Sequence, residues 1–192
     1  MDGQSSTLGP KPQALDRCEE TLWVIRAREG NAEAFDRLMA RHERPLLYYL
    51  RRFIGQTEAA LDAHQEVWLD AFRTLRQLHT PEAFRSWLYR IAHDKAVRFI
   101  RREIRDEQFV EPLNETHHDF CAEPESPCDA EAIHLALDRL PAPQREVLTL
   151  YYLQDLSQEE MAVALNCPVG TIKSRLHHAR IALRSLLGKE KP

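Results

Sequence analysis

The chain has 192 residues, 43% of them hydrophobic and 29% charged, and a net charge of −4 at neutral pH. That is the balance of a globular protein able to bury a core, long enough for one large domain or two small ones. It excludes a helical membrane protein, since no apolar run approaches the ~18 residues a membrane helix needs, and the polar N-terminus lacks a secretory apolar segment, so a cytoplasmic protein is expected.

Six glycines are few for this length, and long alternating β-branched runs are missing, so the predicted fold is all-α. Residues 1–17 are polar and predict a disordered tail. A helix is predicted near 18–29, and Gly30-Asn31 reads as a stop followed by a new N-cap. Phe35, Leu38, Met39, His42, Leu46, Tyr49, Leu50 and Phe53 then follow a 3.6-residue period up to Gly55, with Pro45 expected to kink the helix. Thr57 is a candidate cap for the next helix, whose predicted buried stripe is Leu61, His64, Trp68, Ala71, Leu75 and Leu78. Thr80-Pro81 is a further start signal. Phe84, Trp87, Leu88 and Ile91 form the apolar face of a helix running to about Arg105.

Residues 106–130 change character. They contain Pro112, Pro124 and Pro127 and show no periodicity, which predicts a flexible acidic linker. A second helical domain is expected over 131–188. Leu135, Leu137 and Leu140 precede Pro141 and Pro143, and a helix is predicted from about Gln144 to Leu153.

Charge is segregated. Residues 84–105 carry seven basic groups against two acidic ones, residues 168–192 carry six against one, and residues 106–131 carry nine carboxylates and no Lys or Arg. Two basic patches split by an acidic stretch suggest two separate contacts with a polyanion.

Residues 157–184 read as a helix-turn-helix. Ser157 and Glu160 have capping-box spacing, Met161, Ala162 and Leu165 form an inner face, and Asn166-Cys167-Pro168 supplies the break. In the second helix Ile172, Leu176, Ala179 and Leu183 are apolar. Lys173, Ser174, Arg175, His177, His178 and Arg180 fall largely on other faces. A helix with short polar residues at its start and basic residues along its length fits the major groove of B-DNA.

The run LPAPQREVLTLYYLQDLSQEEMAVALNCPVGTIKSRLHHARIAL, from Leu140, closely resembles region 4 of extracytoplasmic-function sigma factors, a branch of the sigma-70 type. The resemblance implies recognition of a promoter −35 element. It places Gly170, Thr171, Lys173, Ser174, Arg175, His177 and His178 at DNA-facing positions; His178 stands where the family often has Arg. Residues 18–105 resemble the partner domain, region 2. QEVWLDAF at 65–72 is similar to the family's core-polymerase-binding helix, and Asp62, Gln65, Glu66 and Leu69 share one helical face opposite the predicted buried stripe. FRSWLYRIAHDKAVRFIRREIR at 84–105 resembles the −10 region. There Arg98, Arg101, Arg102 and Arg105 have the spacing of a single basic stripe able to hold a DNA backbone, and Arg85 belongs to the same candidate set. Trp87, among Phe84, Leu88 and Ile91, is assigned to the core rather than to a base pocket.

The resemblance implies core RNA polymerase and promoter DNA as partners, an anti-sigma factor as inhibitor, and no cofactor. His117, His118, Cys121 and Cys128 match no strong zinc template. A self-sufficient helix-turn-helix regulator is the alternative; the response-regulator type would need a strand-bearing second domain. A serine recombinase would need a nucleophilic Ser near several Arg in an αβ domain, and Ser86 is the single Ser between residues 7 and 125. No triad, metal-ligand or phosphate-loop motif is present, so catalytic activity is not expected.

Overall fold

A computed structural model describes residues 12–107 and 127–189, and every regular element among them is helical. The N-terminal half holds α1 (Pro12–Arg28), α2 (Ala32–Ile54), α3 (Thr57–Thr74) and α4 (Phe84–Glu107). The C-terminal half holds α5 (Pro127–Asp138), α6 (Ala142–Leu148), α7 (Gln158–Ala164) and α8 (Val169–Lys189). The expected all-α organisation in two helical parts is borne out.

Local chemistry sets most boundaries. Gly30 sits at φ +97, a conformation that side chains with a Cβ rarely adopt, and ends α1. The Asn31 side chain accepts from the Ala34 N–H at 2.9 Å and starts α2. That helix continues through Pro45 and closes at Gly55. Thr57 is not a cap: it is the first residue of α3, and Gln56 holds the cap position with no side-chain bond. Thr80-Pro81 opens a 3₁₀ turn, Pro81–Ala83, that leads into α4.

The core of the N-terminal half is built on α2. Leu38, Leu46 and Leu50 meet Ala60, Ala63, Val67 and Ala71 of α3 and Leu88, Ala92 and Ala96 of α4, all buried. The stripe expected on α3 is therefore partly wrong. Leu61 is 39% exposed and His64 is half-buried. Ala59, Ala60, Ala63 and Val67 take the inner face instead. Small side chains let the α3 backbone approach α2 and α4 closely, so steric fit outweighs the hydrophobicity of Leu61. Aromatic pairs stiffen the packing: Phe35 meets Trp68 edge-on at 6.0 Å and Tyr49 meets Tyr89 edge-on at 5.3 Å. Trp87 is partly buried against the same core.

Other boundaries shift. Helix α1 begins at Pro12, so residues 12–17 of the expected tail are helical. Proline is tolerated in a first turn, where its missing N–H has no partner to lose. The extension is held by Arg17, which donates to the Asp155 carbonyl at 2.8 Å and to Glu160 at 3.1 Å in the other half. Helix α5 likewise starts with a proline, Pro127, rather than after residue 130. The helix expected over 144–153 starts at Ala142 and widens into a π turn at Thr149–Leu153. Leu137 and Leu140 are buried but Leu135 is half exposed.

The two halves share one continuous apolar cluster, with α7 against α4 and α6 against α2. The acidic stretch from 108 to 126, with His117, His118 and Cys121, lies outside the described residues. The backbone of Cys128 falls in α5. Among the described residues no helix is long and apolar enough to cross a membrane, and no cluster of His, Cys, Asp and Glu could hold a metal ion.

Candidate nucleic-acid interface

The helix-turn-helix forms as its spacing demands. The Ser157 Oγ accepts from the Glu160 N–H at 3.1 Å, and the Ser157 N–H donates to the Glu160 carboxylate at 2.7 Å. This capping box satisfies two N–H groups that the start of α7 would otherwise leave open. Ser157→Ala is expected to cost about 1 kcal/mol and to lower the thermal midpoint by about 2–4 °C, measured by circular dichroism. Asn166, at φ 49, makes the left-handed turn after α7, a conformation its short polar side chain tolerates.

Helix α8 then packs Ile172, Leu176 and Ala179 inward, each at most 2% exposed, against Met161 and Leu165. That leaves the predicted reading face outside. Gly170, Lys173, Ser174, His177 and His178 are exposed, and Thr171 and Arg175 are half-buried at its edges. The His177 and His178 rings lie 5.6 Å apart. Arg180 is drawn out of that face: its guanidinium lies over Tyr151 and Tyr152 at 5.1 and 5.5 Å, a cation–π arrangement.

In α4, Arg98, Arg101, Arg102 and Arg105 are all exposed and form one stripe. Arg85 is not part of it. It sits near the other end of the helix, 13% exposed, and its guanidinium grips Glu20 at 2.9 Å. Glu20 also hydrogen-bonds His42 at 3.1 Å and pairs with Arg41. Burial opposes the Glu20 charge, but the bonds to His42 and Arg85 outweigh it and hold the carboxyl below its usual range. Arg85 thus ties α1 to α4, a partner invisible at a separation of 65 residues.

On α3, Asp62, Gln65, Glu66 and Leu69 are exposed together, and Phe72 extends their face with a 66% exposed ring. The acidic face and the basic stripe meet in one groove of about 280 Å³, lined by Asp62, Glu66, Lys95, Arg98, Phe99 and Arg102. Lys95 spans it, donating to Asp70 at 2.8 Å and Glu66 at 2.9 Å. The hydrogen bond to Asp70, with that to Glu66, holds the ammonium above its ordinary range despite partial burial. Phe99 was not singled out from the sequence. Its spacing of three from Arg102, whose guanidinium lies 5.7 Å from the ring, is the signal that could have found it.

Comparison with known proteins agrees with this arrangement. Residues 38–105 match the family model for sigma-70 region 2, and residues 130–183 match that for sigma-70 region 4. The chain is 32% identical to the RNA polymerase sigma-H factor of Pseudomonas aeruginosa over 185 residues, which cover 90% of this chain and 96% of that one. It is 28% identical to the ECF RNA polymerase sigma-E factor of Escherichia coli K12 over 180 residues, 88% and 94% of the two chains. The solved structure of CnrH in complex with the cytosolic domain of CnrY is similar, with TM-score 0.66, 26% identity and coverage of 90% and 99%. The sigma factor RpoE of Bartonella quintana, solved with the anti-sigma factor NepR, shares the fold at TM-score 0.75 and 22% identity, with coverage of 83% and 100%. Two sigma domains in the expected order, each presenting a charged face outward, and a relative matched over nearly its whole length place this chain in the sigma-70 family, in its extracytoplasmic-function branch.

Proposed function

We propose that this protein binds core RNA polymerase and directs it to promoters, with no catalytic activity of its own, in the cytoplasm. The observation that carries this reading is the pairing of two outward faces on one chain: the α8 reading face and the groove between α3 and α4. In this reading Gly170, Thr171, Lys173, Ser174, Arg175, His177 and His178 meet the −35 element. Arg98, Arg101, Arg102 and Arg105 hold the backbone near the −10 element, and helping to melt that element means stabilising unstacked bases, a few kcal/mol of work. Arg85, tied to Glu20, supports α4 from behind. Asp62, Gln65, Glu66 and Leu69 dock on the polymerase, Leu69 supplying apolar area among charges that orient the encounter.

The regulatory partner is an anti-sigma factor, in line with the family and with CnrH having been solved in complex with the cytosolic domain of another protein. A self-sufficient helix-turn-helix regulator has no use for the region 2 domain that occupies residues 38–105.

Run-off transcription with purified core polymerase and a genomic promoter library tests the reading. Transcripts requiring both components support it. DNA binding by the protein without any core-dependent transcript overturns it in favour of the regulator. Asp62→Lys with Glu66→Lys is expected to weaken core binding at least about tenfold, equivalent to about 1.4 kcal/mol, as measured by fluorescence anisotropy. Both side chains are exposed, so helicity should be unchanged.

A further inference from the structure

Helix α8 carries two neighbouring imidazoles on its outward face. His177 and His178 are both exposed, and their rings lie 5.6 Å apart. Among the described residues neither ring has a hydrogen-bond or ion-pair partner. The charges around them on α8 are positive. Lys173 lies one turn before His177 and Arg175 one turn before His178, and the helix contains no Asp or Glu. Arg180, a turn after His177, is turned onto Tyr151 and Tyr152.

Helices α5, α6 and α7 pack against α8, and most of their described charged groups are engaged elsewhere. On α6, Glu146 is held by Tyr49 and His93, and Arg145 by Asp138. On α5, Asp138 and His134 are held by Arg52. On α7, Glu160 is held by Arg17 and the Ser157 N–H, while Glu159 is exposed.

An imidazole changes charge between about pH 5 and 8, whereas carboxylates, Lys, Arg and Tyr keep one charge state over about pH 6–8. A neutral ring offers one N–H donor and one acceptor nitrogen. Taking one proton from water makes it a cation with two donors. Helix α8 has no carboxylate of its own to neutralise that charge. The partner proposed for this face is a polyanion, which supplies the countercharge. A phosphate gains a charge-assisted hydrogen bond from a protonated ring and only a weaker one from a neutral ring. Proton binding and DNA binding on this face therefore favour one another.

We propose that His177 and His178 are proton-operated contacts of the −35 interface. Each proton taken up adds one phosphate contact, so the grip on the −35 element tightens as pH falls, while Lys173 and Arg175 supply the part that pH leaves unchanged. This rests on the proposed sigma function.

The test uses core polymerase loaded with the full-length chain. The probe is a fluorescent duplex carrying the −35 element, without the −10 element, from a promoter recovered by run-off. Leaving out the −10 element sets aside His79, which is exposed between α3 and α4. Anisotropy gives the affinity at about pH 8, 7 and 6 and at several salt concentrations, and circular dichroism of the chain reports folding. Binding is expected to be about tenfold tighter at the lowest pH than at the highest, with a salt slope steeper by about one to two. His177→Gln/His178→Gln stays neutral and should keep the weaker, high-pH affinity throughout. His177→Lys/His178→Lys is charged throughout and should bind tightly at every pH. Both sites are exposed, so neither pair of substitutions takes an atom from the core. Wild-type affinity that changes by less than about twofold over the range overturns the proposal. So does a pH dependence that survives in the Gln pair, which would place the proton elsewhere in the holoenzyme. Tightening with an unchanged salt slope also overturns it, since no phosphate contact would have been added. Should a pair fail to fold, the single His177→Gln and His178→Gln variants carry the same test, at least one of them losing part of the pH dependence. Flat binding by a chain that gives core-dependent transcripts strikes this inference alone. With no such transcript the sigma reading falls and takes the inference with it.

Discussion

Replacing Lys173 and Arg175 by alanine is expected to abolish most core-dependent transcription while leaving the fold intact. Lys173 is exposed and Arg175 is half-buried at the edge of the face, and neither belongs to the buried cluster that holds Ile172, Leu176 and Ala179. Their removal therefore takes no atom from the core. Good base-edge contacts are worth about 1–3 kcal/mol each, so the pair should lower −35 affinity by roughly 10²-fold or more. The two roles separate by measurement. A side chain that meets a phosphate lowers affinity equally on all sequences and reduces the salt slope by about one. A side chain that meets a base edge relaxes the preference at one position and leaves that slope nearly unchanged. Titrating each single variant against matched and mismatched −35 duplexes at several salt concentrations distinguishes them. Unchanged affinity in both would remove α8 from the interface.

Trp68→Ala is expected to be the most damaging single truncation. The side chain is 6% exposed, meets Phe35 edge-on, and donates its indole N–H to His64 at 3.1 Å. Truncating a buried Trp costs about 3–5 kcal/mol, a fall of roughly 6–20 °C in thermal midpoint for a chain of this size. Function should fail with it. Trp68 pins α3 from the inside while Asp62, Gln65, Glu66 and Leu69 face outward from the same helix, so loosening the anchor also blurs the face proposed to dock on the polymerase. Trp68→Phe, which keeps most of the apolar volume, should recover a large part of both losses. Thermal melts and core binding on the same samples check the coupling; a stable Trp68→Ala protein with normal core binding would refute it.

The helix-turn-helix was legible because its signals are local. Ser157 and Glu160 are three residues apart, the break at Asn166 to Pro168 lies in one stretch, and the inward residues of α8 recur at helical spacing. Asn31 as a cap and Gly30 and Gly55 as stops were legible for the same reason. The exposed set Asp62, Gln65, Glu66 and Leu69 was picked out by the resemblance of QEVWLDAF to a known helix, and its spacing put the four on one face. The stripe behind it was not legible. Periodicity ranks Leu61 above Ala60 by hydrophobicity, whereas close helix packing ranks them by size.

Arg85 marks the other limit. Along the chain it is one basic residue among seven in 84–105. Only the fold brings Glu20 to it and removes it from the exposed stripe. Lys95 behaves alike, taken up by Glu66 and Asp70.

By itself, then, the sequence determined what depends on neighbours within a few residues: the helices, most caps and turns, the order of two domains and most of the residues on each outward face. These follow from backbone geometry and side-chain period, which need no distant partner. Only the tertiary structure decided how the halves meet. The partners of Glu146, Tyr49 and His93, lie 97 and 53 positions away, and those of Arg52, His134 and Asp138, lie 82 and 86 away. A buried charge must find a counter-group wherever the fold brings one, and no local rule says which it will be.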